Sequence, residues 1–318
     1  MKTRQLSAKA AILICLATGF ASCSQIETPS TVSLSDKEIV LTSYGNISKS
    51  SAEFEDSRIS AYIFSEGHIP AQQLFSGVFS HENGLWDSGR VNYWPEEVVS
   101  KGKHLAVFGV MPATITLDTR EYTGMESDRL PSFTYSVAAN AADQKDVKVA
   151  KTIRGNPDEM VELKFNSVMS EVSFRVKGSQ CGSGNTIYHI NSITVRGAYA
   201  DGMYEFTSGR MRLASGAAAM DFTYACNQTV GTGDWNLGAD FCTMYMIPQK
   251  TKDVEVVFNY SVEVDGMKIF EGNYGLGFGD DWAQGEVYDY SVELPYTDSG
   301  IIWQIENEWN DNIITFNI

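Results

Sequence analysis

Four histidines, five cysteines, forty acidic residues and six tryptophans are the side chains of this 318-residue chain from which a chemical site could be built. His68, His81, His104 and His189 stand far apart, and none has a second ligand at helical or hairpin spacing. Each therefore reads as a surface or core-edge histidine rather than a metal ligand. No Gly-x-Ser-x-Gly elbow offers a serine nucleophile, and no glycine-rich loop opens a helix to cradle phosphate. Asp280 and Asp281 could suggest a calcium or glycosidase pair, but no further carboxylates gather beside them and Asp298 stands alone. The run Gly279-Asp280-Asp281-Trp282 reads instead as a turn with a packed tryptophan. Trp86, Trp94, Trp235, Trp282, Trp303 and Trp309 could line a sugar site, although packing in cores and hairpins accounts for such residues without a ligand. Cys181, Cys226 and Cys242 contain no Cys-x-x-Cys pair, so a zinc ribbon is unsupported. They leave two options open, one disulfide or three thiols. The sequence thus points away from an enzyme: no catalytic residue, no metal ligand and no cofactor site.

Cys23 is the exception, because its surroundings call for covalent chemistry. Lys2, Arg4 and Lys9 give a basic start, Ala10 to Phe20 an apolar run, and Ala21-Ser22 a small-residue approach to Cys23. The apolar run is too short for a permanent membrane helix and has the length of a cleaved signal, residues 1–22. Phe20-Ala21-Ser22-Cys23 is similar to the lipobox read by the lipoprotein signal peptidase, with Phe20 in place of the usual Leu. Cys23 is accordingly the expected site of fatty acylation, palmitate included. Each buried methylene contributes about 0.8 kcal/mol, so two or three chains anchor firmly where one does not. The net charge of −16 becomes more negative once a signal with three basic and no acidic residues is removed. Such a surface disfavours nucleic acid and electrostatic binding to anionic membranes.

The elements behind these residues are strands. Ile59–Phe64, His104–Val110, Val161–Phe165, Val172–Val176, Ile190–Val195, Val254–Phe258 and Tyr288–Val292 carry Val, Ile, Phe and Tyr with a period near two. Gly, Asn, Asp and Ser punctuate them, as in half-buried antiparallel sheets. Glu159–Met169 and Ser208–Met220 could hold a turn or two of helix, but neither has a sustained apolar stripe. The expected fold class is all-β, built of sandwiches. The polar stretch Asn140–Asp158 suggests a division into an N-terminal domain, 23–158, and a C-terminal domain, 159–300, with 301–318 as an extension.

Several short phrases then fall in a recognisable order. Asn92-Tyr93-Trp94-Pro95 precedes Leu105-Ala106-Val107-Phe108-Gly109-Val110-Met111-Pro112. Gln144–Ala150 and Val161–Val172 follow, then Met246-Ile247-Pro248-Gln249 and Trp282-Ala283-Gln284-Gly285-Glu286-Val287-Tyr288-Asp289-Tyr290. Together they resemble the fimbrillin superfamily of Bacteroidetes, the subunits of type V pili. The resemblance implies two transthyretin-like Greek-key sandwiches in tandem, in a lipoprotein precursor at the outer membrane. It implies that a trypsin-like protease cuts after the first strand, and that the groove so opened accepts a C-terminal strand from the next subunit. Expected partners are other fimbrial subunits, a host or bacterial surface ligand, and the outer membrane through the lipid.

Placed on this sequence, the displaced strand falls at Glu38–Tyr44, with Ile39, Leu41 and Ser43 on one face. The expected cleavage positions are Lys49 in the following loop and Arg58, the next arginine. The donor would come from the C-terminal extension. Ile301, Trp303 and Ile305 share one face of its first run, and Ile314, Phe316 and Ile318 one face of its second. Such apolar strands need a partner or a cover. Pairing within the same chain is the alternative. At the level of function, the alternatives to a shaft or tip subunit are an anchor subunit that keeps its lipid and a monomeric glycan-binding surface lipoprotein.

Overall fold

The computed structural model describes residues 33–43, 55–65, 68–119, 130–233, 235, 242–296 and 304–305. In chain order its strands begin with β1 (Leu34–Glu38), β2 (Leu41–Ser43), β3 (Ser57–Ser65), β4 (His68–Glu82), β5 (Leu85–Asp87) and β6 (Tyr93–Pro95). Helix α1 (Glu96–Lys101) leads into β7 (His104–Met111) and β8 (Ser132–Ser136). A 3-10 turn at Ala141–Asp143 precedes β9 (Lys148–Arg154), β10 (Val161–Leu163), β11 (Asn166–Ser167) and β12 (Ser170–Gly178). Then come β13 (Thr186–Tyr199), β14 (Asp201–Glu205), β15 (Arg210–Leu213) and β16 (Ala219–Val230). The last are β17 (Thr243–Met246), β18 (Glu255–Val264), β19 (Met267–Phe278), β20 (Val287–Leu294) and β21 (Gln304–Ile305). The all-β expectation holds. The sequence reading overlooked α1, whose ends follow helix chemistry: Glu96 and Glu97 in the first turn, Lys101 in the last and a left-handed Gly102 as cap.

Eight strands pair in the order β10-β2-β5-β4-β3-β7-β9-β11. This arrangement folds over at β4, which pairs with β3 along most of its length and with β5 through Ser80–Glu82. The layers enclose a core of Ile39, Leu41, Ile59, Phe75, Trp86, Leu105 and Val161, among others. Central strand β7 is buried from Leu105 to Met111 because it has protein on both faces. Leu105 and Val107 face this core, while Ala106, Phe108 and Val110 join the larger core of the C-terminal half. Its unbroken apolar run is the sequence form of double burial.

In the second half, β17-β12-β20 packs against β16-β13-β18-β19-β21. Phe174 of β12 joins the layers, with its ring 5.8 Å from Phe258 and 6.3 Å from Phe278. Long strand β13 kinks at two irregularities, between Ile190 and Ser192 and between Val195 and Ala198. The second contains Gly197 at φ 76°, where a Cβ would sit 2.9 Å from the Asp253 carbonyl oxygen. Only glycine fits there without displacement.

A further sheet, β15-β14-β8, ties the halves together. Phe133 of β8 stacks on Tyr204 of β14 at 5.4 Å, and Phe206 meets Phe108 of β7 at 4.9 Å. Strand pairing crosses residue 158 in both directions: β8 precedes it and pairs with β14, while β10 follows it and pairs with β2.

Candidate assembly site

Residues 33–43 attach to the fold along a short, largely backbone-mediated path. β1 pairs antiparallel with β6, matching Leu34 to Pro95 and Glu38 to Tyr93. The chain then crosses to β2, which lies between β10 and β5. It runs parallel to β10, with Leu41 opposite Val161 and Ser43 opposite Leu163, and antiparallel to β5, with Thr42 opposite Leu85. The Ile39 amide donates to the Asn92 carbonyl at 2.7 Å and the Val161 amide to the Val40 carbonyl at 2.9 Å. Ser43 donates its amide to the Gly84 carbonyl at 3.2 Å.

The side chains follow the expected alternation. Ile39 and Leu41 are 5% and 4% exposed and belong to the N-terminal core. Their burial contributes about 3–6 kcal/mol in total. Ser43, the third residue on that face, is half-buried, and its Oγ lies 2.9 Å from His81 Nε2. The His81 ring packs 4.8 Å from Trp86, which in turn lies 5.1 Å from Phe165. Burial pushes the His81 pKa below its ordinary 6.5, so the neutral ring is favoured. Lys37 and Asp158 form an exposed ion pair at 2.5 Å, which adds little stability in water. The segment is thus a core-filling strand held by two apolar anchors and one polar one. His81 is the member that sequence reading missed, because 38 residues separate it from Ser43.

Lys49 lies outside the described residues. Arg58 sits inside β3, bonded to β4 on one side and β7 on the other. Its Nε donates to the carbonyls of Ala113 and Ile115, at 3.1 and 3.0 Å. Protease access to Arg58 would require an interior strand of the N-terminal sheet to come apart.

Of the C-terminal candidates, Ile301, Trp303, Ile314, Phe316 and Ile318 lie outside the described residues, as does Cys23. Ile305 belongs to β21, which pairs parallel with β19 by matching Gln304 to Gly277 and Ile305 to Phe278. The described part of the extension is therefore paired within its own chain, across only two residues.

Residues considered for chemistry lie apart. His104 packs on Phe64 at 5.6 Å, and His189 Nε2 lies 3.5 Å from a Glu263 carboxylate oxygen. Cys181, Cys226 and Cys242 are free thiols. Burial pushes the Cys242 thiol well above its usual range, with Cys226 adding to the effect. Among the described residues no group of three or more His, Cys, Asp or Glu is placed to hold a metal.

The phrases that carried the resemblance prove to be joints of the fold. Gln249 is buried; its Oε1 accepts from the Tyr199 amide at 2.8 Å, and its Nε2 donates to the Tyr199 and Ile247 carbonyls at 3.2 and 2.9 Å. Trp282 is 2% exposed and donates Nε1 to the Tyr290 hydroxyl at 3.3 Å. The Tyr288 hydroxyl accepts from the Ala283 amide at 2.8 Å and donates to the Asp281 carbonyl at 3.0 Å. Burial pushes both tyrosine pKa values upward. Asp281 Oδ1 accepts the Thr251 amide at 3.1 Å, and Gly279–Asp280 is a bend that leads into buried Trp282, bridged to Gln249. Gly285, at φ 74°, gives its amide to the Met169 carbonyl at 2.8 Å and closes the phrase onto β12.

The family model described as fimbrillin-like matches residues 51–308. A fimbrial protein from Bacteroides vulgatus ATCC 8482 has 15% identity and a TM-score of 0.63, covering 86% of this chain and 98% of that one. A candidate cell adhesion protein from Bacteroides uniformis ATCC 8492 has 12% identity and a TM-score of 0.57, covering 86% and 97%. A second such protein, from Bacteroides ovatus ATCC 8483, has 13% identity and a TM-score of 0.54, covering 90% and 100%. No curated protein matches the sequence. At these identities the structures speak for the fold, and the family model speaks for descent. With that model matched over most of its length, the chain belongs to the fimbrillin-like family.

Proposed function

We propose that this protein is a shaft or tip subunit of a cell-surface fimbrium supporting adhesion, exported as a precursor lipidated at Cys23 and polymerised by strand exchange. The observation that carries the proposal is the attachment of residues 33–43. Ile39 and Leu41 complete a core whose other members come from later in the chain, and the segment is joined covalently to that core through residues 44–54. Cutting the chain within residues 44–54 would leave residues 33–43 held by packing, hydrogen bonds and one exposed ion pair alone. A C-terminal strand of another subunit could then replace it between β5 and β10, with comparable burial. Residues 301–318 supply alternating apolar runs suited to that role. Two tandem sandwich domains, divided near the polar stretch before Asp158, are the domain picture that goes with this reading.

Of the described tryptophans, Trp86, Trp94 and Trp282 are buried in cores, and half-buried Trp235 carries the Lys177 ammonium 4.6 Å from its ring centre, so they form no shared aromatic row of the kind that would favour the monomeric glycan binder. The anchor reading differs only in the fate of the lipid and first strand. Deleting residues 301–318 should leave a folded, exported protein that fails to enter fibres, seen as monomer by size-exclusion of surface extracts. Normal fibres from the truncated protein would overturn strand exchange through this extension.

A further inference from the structure

The slot occupied by Ile39–Ser43, that is β2 and the two residues leading into it, has a side-chain code. Its first two inward positions, those of Ile39 and Leu41, are apolar and closed from solvent. The third, that of Ser43, faces His81 Nε2 at 2.9 Å. The intervening positions, Val40 and Thr42, are half-buried and lie outside the buried core, so they are open to other side chains. A strand suited to this slot therefore reads apolar, open, apolar, open, hydrogen-bonding. Among the runs considered for donation, Ile314-Thr315-Phe316-Asn317-Ile318 meets the first four requirements and fails the fifth. Ile318 would fall at the Ser43 position and forfeit the bond to His81. Extending the first run by two residues gives Trp303-Gln304-Ile305-Glu306-Asn307, which meets all five. Trp303 and Ile305 take the apolar positions, Gln304 and Glu306 the open ones, and Asn307 brings an amide to His81.

We propose that His81 sets the register of the incoming strand, and that the segment seated in the β2 slot is Trp303–Asn307 of a second copy of this chain. This rests on the strand-exchange reading above. In that register Ile305 lies opposite Val161, Asn307 opposite Leu163 and Glu306 opposite Leu85, the places now held by Leu41, Ser43 and Thr42. To donate, the segment must leave β19, with which Gln304 and Ile305 are the paired residues among those described. Asn307 can either donate to or accept from the imidazole, so it serves whichever tautomer His81 holds.

The test uses full-length protein cut after Lys49, so that residues 33–43 are retained without a covalent link, and fluorescent peptides that compete for the slot. A peptide of residues 299–311 should displace the strand. Its Asn307→Leu variant should bind about tenfold more weakly, the loss expected for one buried hydrogen bond. Asn307→Ser should retain binding. In protein carrying His81→Leu, the preference for the unaltered peptide over its Asn307→Leu variant should vanish. The peptide variants test the idea in unaltered protein even if His81→Leu folds poorly. Equal binding of the unaltered peptide and its Asn307→Leu variant would overturn the register while leaving strand exchange intact. Stronger displacement by residues 308–318 would likewise overturn it. Failure of every peptide to displace the strand would sink both proposals.

Discussion

At the scale of single residues, the N-terminal strand depends on a few side chains whose effects differ in kind. Leu41 is an aliphatic side chain in a closed core, so Leu41→Ala should lower the stability of the uncut protein by about 2–5 kcal/mol. Urea denaturation measures this, and a loss below about 0.5 kcal/mol would mean that the strand is not seated in solution. His81 acts through its charge. Its folded-state pKa is lowered by burial, so an unseated or unfolded state binds the proton more readily. The strand's hold should be complete above the ordinary pKa of 6.5 and weaken as pH falls from there toward the depressed folded value. Melting curves from pH 8 down to about pH 5 should show this slope, and His81→Gln should flatten it. The face shared by Ile39, Leu41 and Ser43 was readable from alternation alone. The Ser43–His81 contact was not, because periodicity assigns a face and says nothing of what lies opposite it.

At the scale of elements, several strands of the core were legible from their apolar spacing, both where one face is wetter, as in Tyr288–Val292, and where both faces are buried, as in Ile59–Phe64. Ile59–Phe64, Val172–Val176 and Tyr288–Val292 each fall within a strand of the structure. The apolar run of β7 carried a stronger message than it was given, since it marks protein on both sides. Helix α1 escaped notice because six residues are too few to display a helical period. Composition marked a division near Asp158, but pairing depends on long-range register, so nothing local revealed that β8 joins β14 or β10 joins β2. The elements also bear on maturation. Arg58 is locked in an interior strand of its sheet, whereas Lys49 belongs to the segment linking β2 to β3. Brief trypsin treatment of folded protein should cut after Lys49 and spare Arg58, giving a new N-terminus at Ser50 on sequencing. A dominant N-terminus at Ile59 would contradict this picture of β3.

At the scale of the whole molecule, the two halves are expected to unfold together. The core of the second half extends into the first through Tyr62, Ala106, Phe108 and Val110. Calorimetry should therefore show one transition rather than two. Phe206, 3% exposed and packed between Phe108 and Tyr204, is the side chain to test. Phe206→Ala should cost about 3–5 kcal/mol. If the coupling is strong, the single transition moves down intact; two separated transitions would show that each half stands alone.

The position of β8 has a mechanical consequence. The chain passes from the first half to the second between β7 and β8, returns between the 3-10 turn and β9, and crosses again between β11 and β12. Tension entering at the β2 slot and leaving at the C-terminal extension would therefore not fall on a lone tether between two beads. It would be divided among three covalent crossings and the side chains clamped between them. If strands are exchanged as proposed, such a fold would transmit a pull as a stiff link, and under load its weakest points would be the strands it gives and receives.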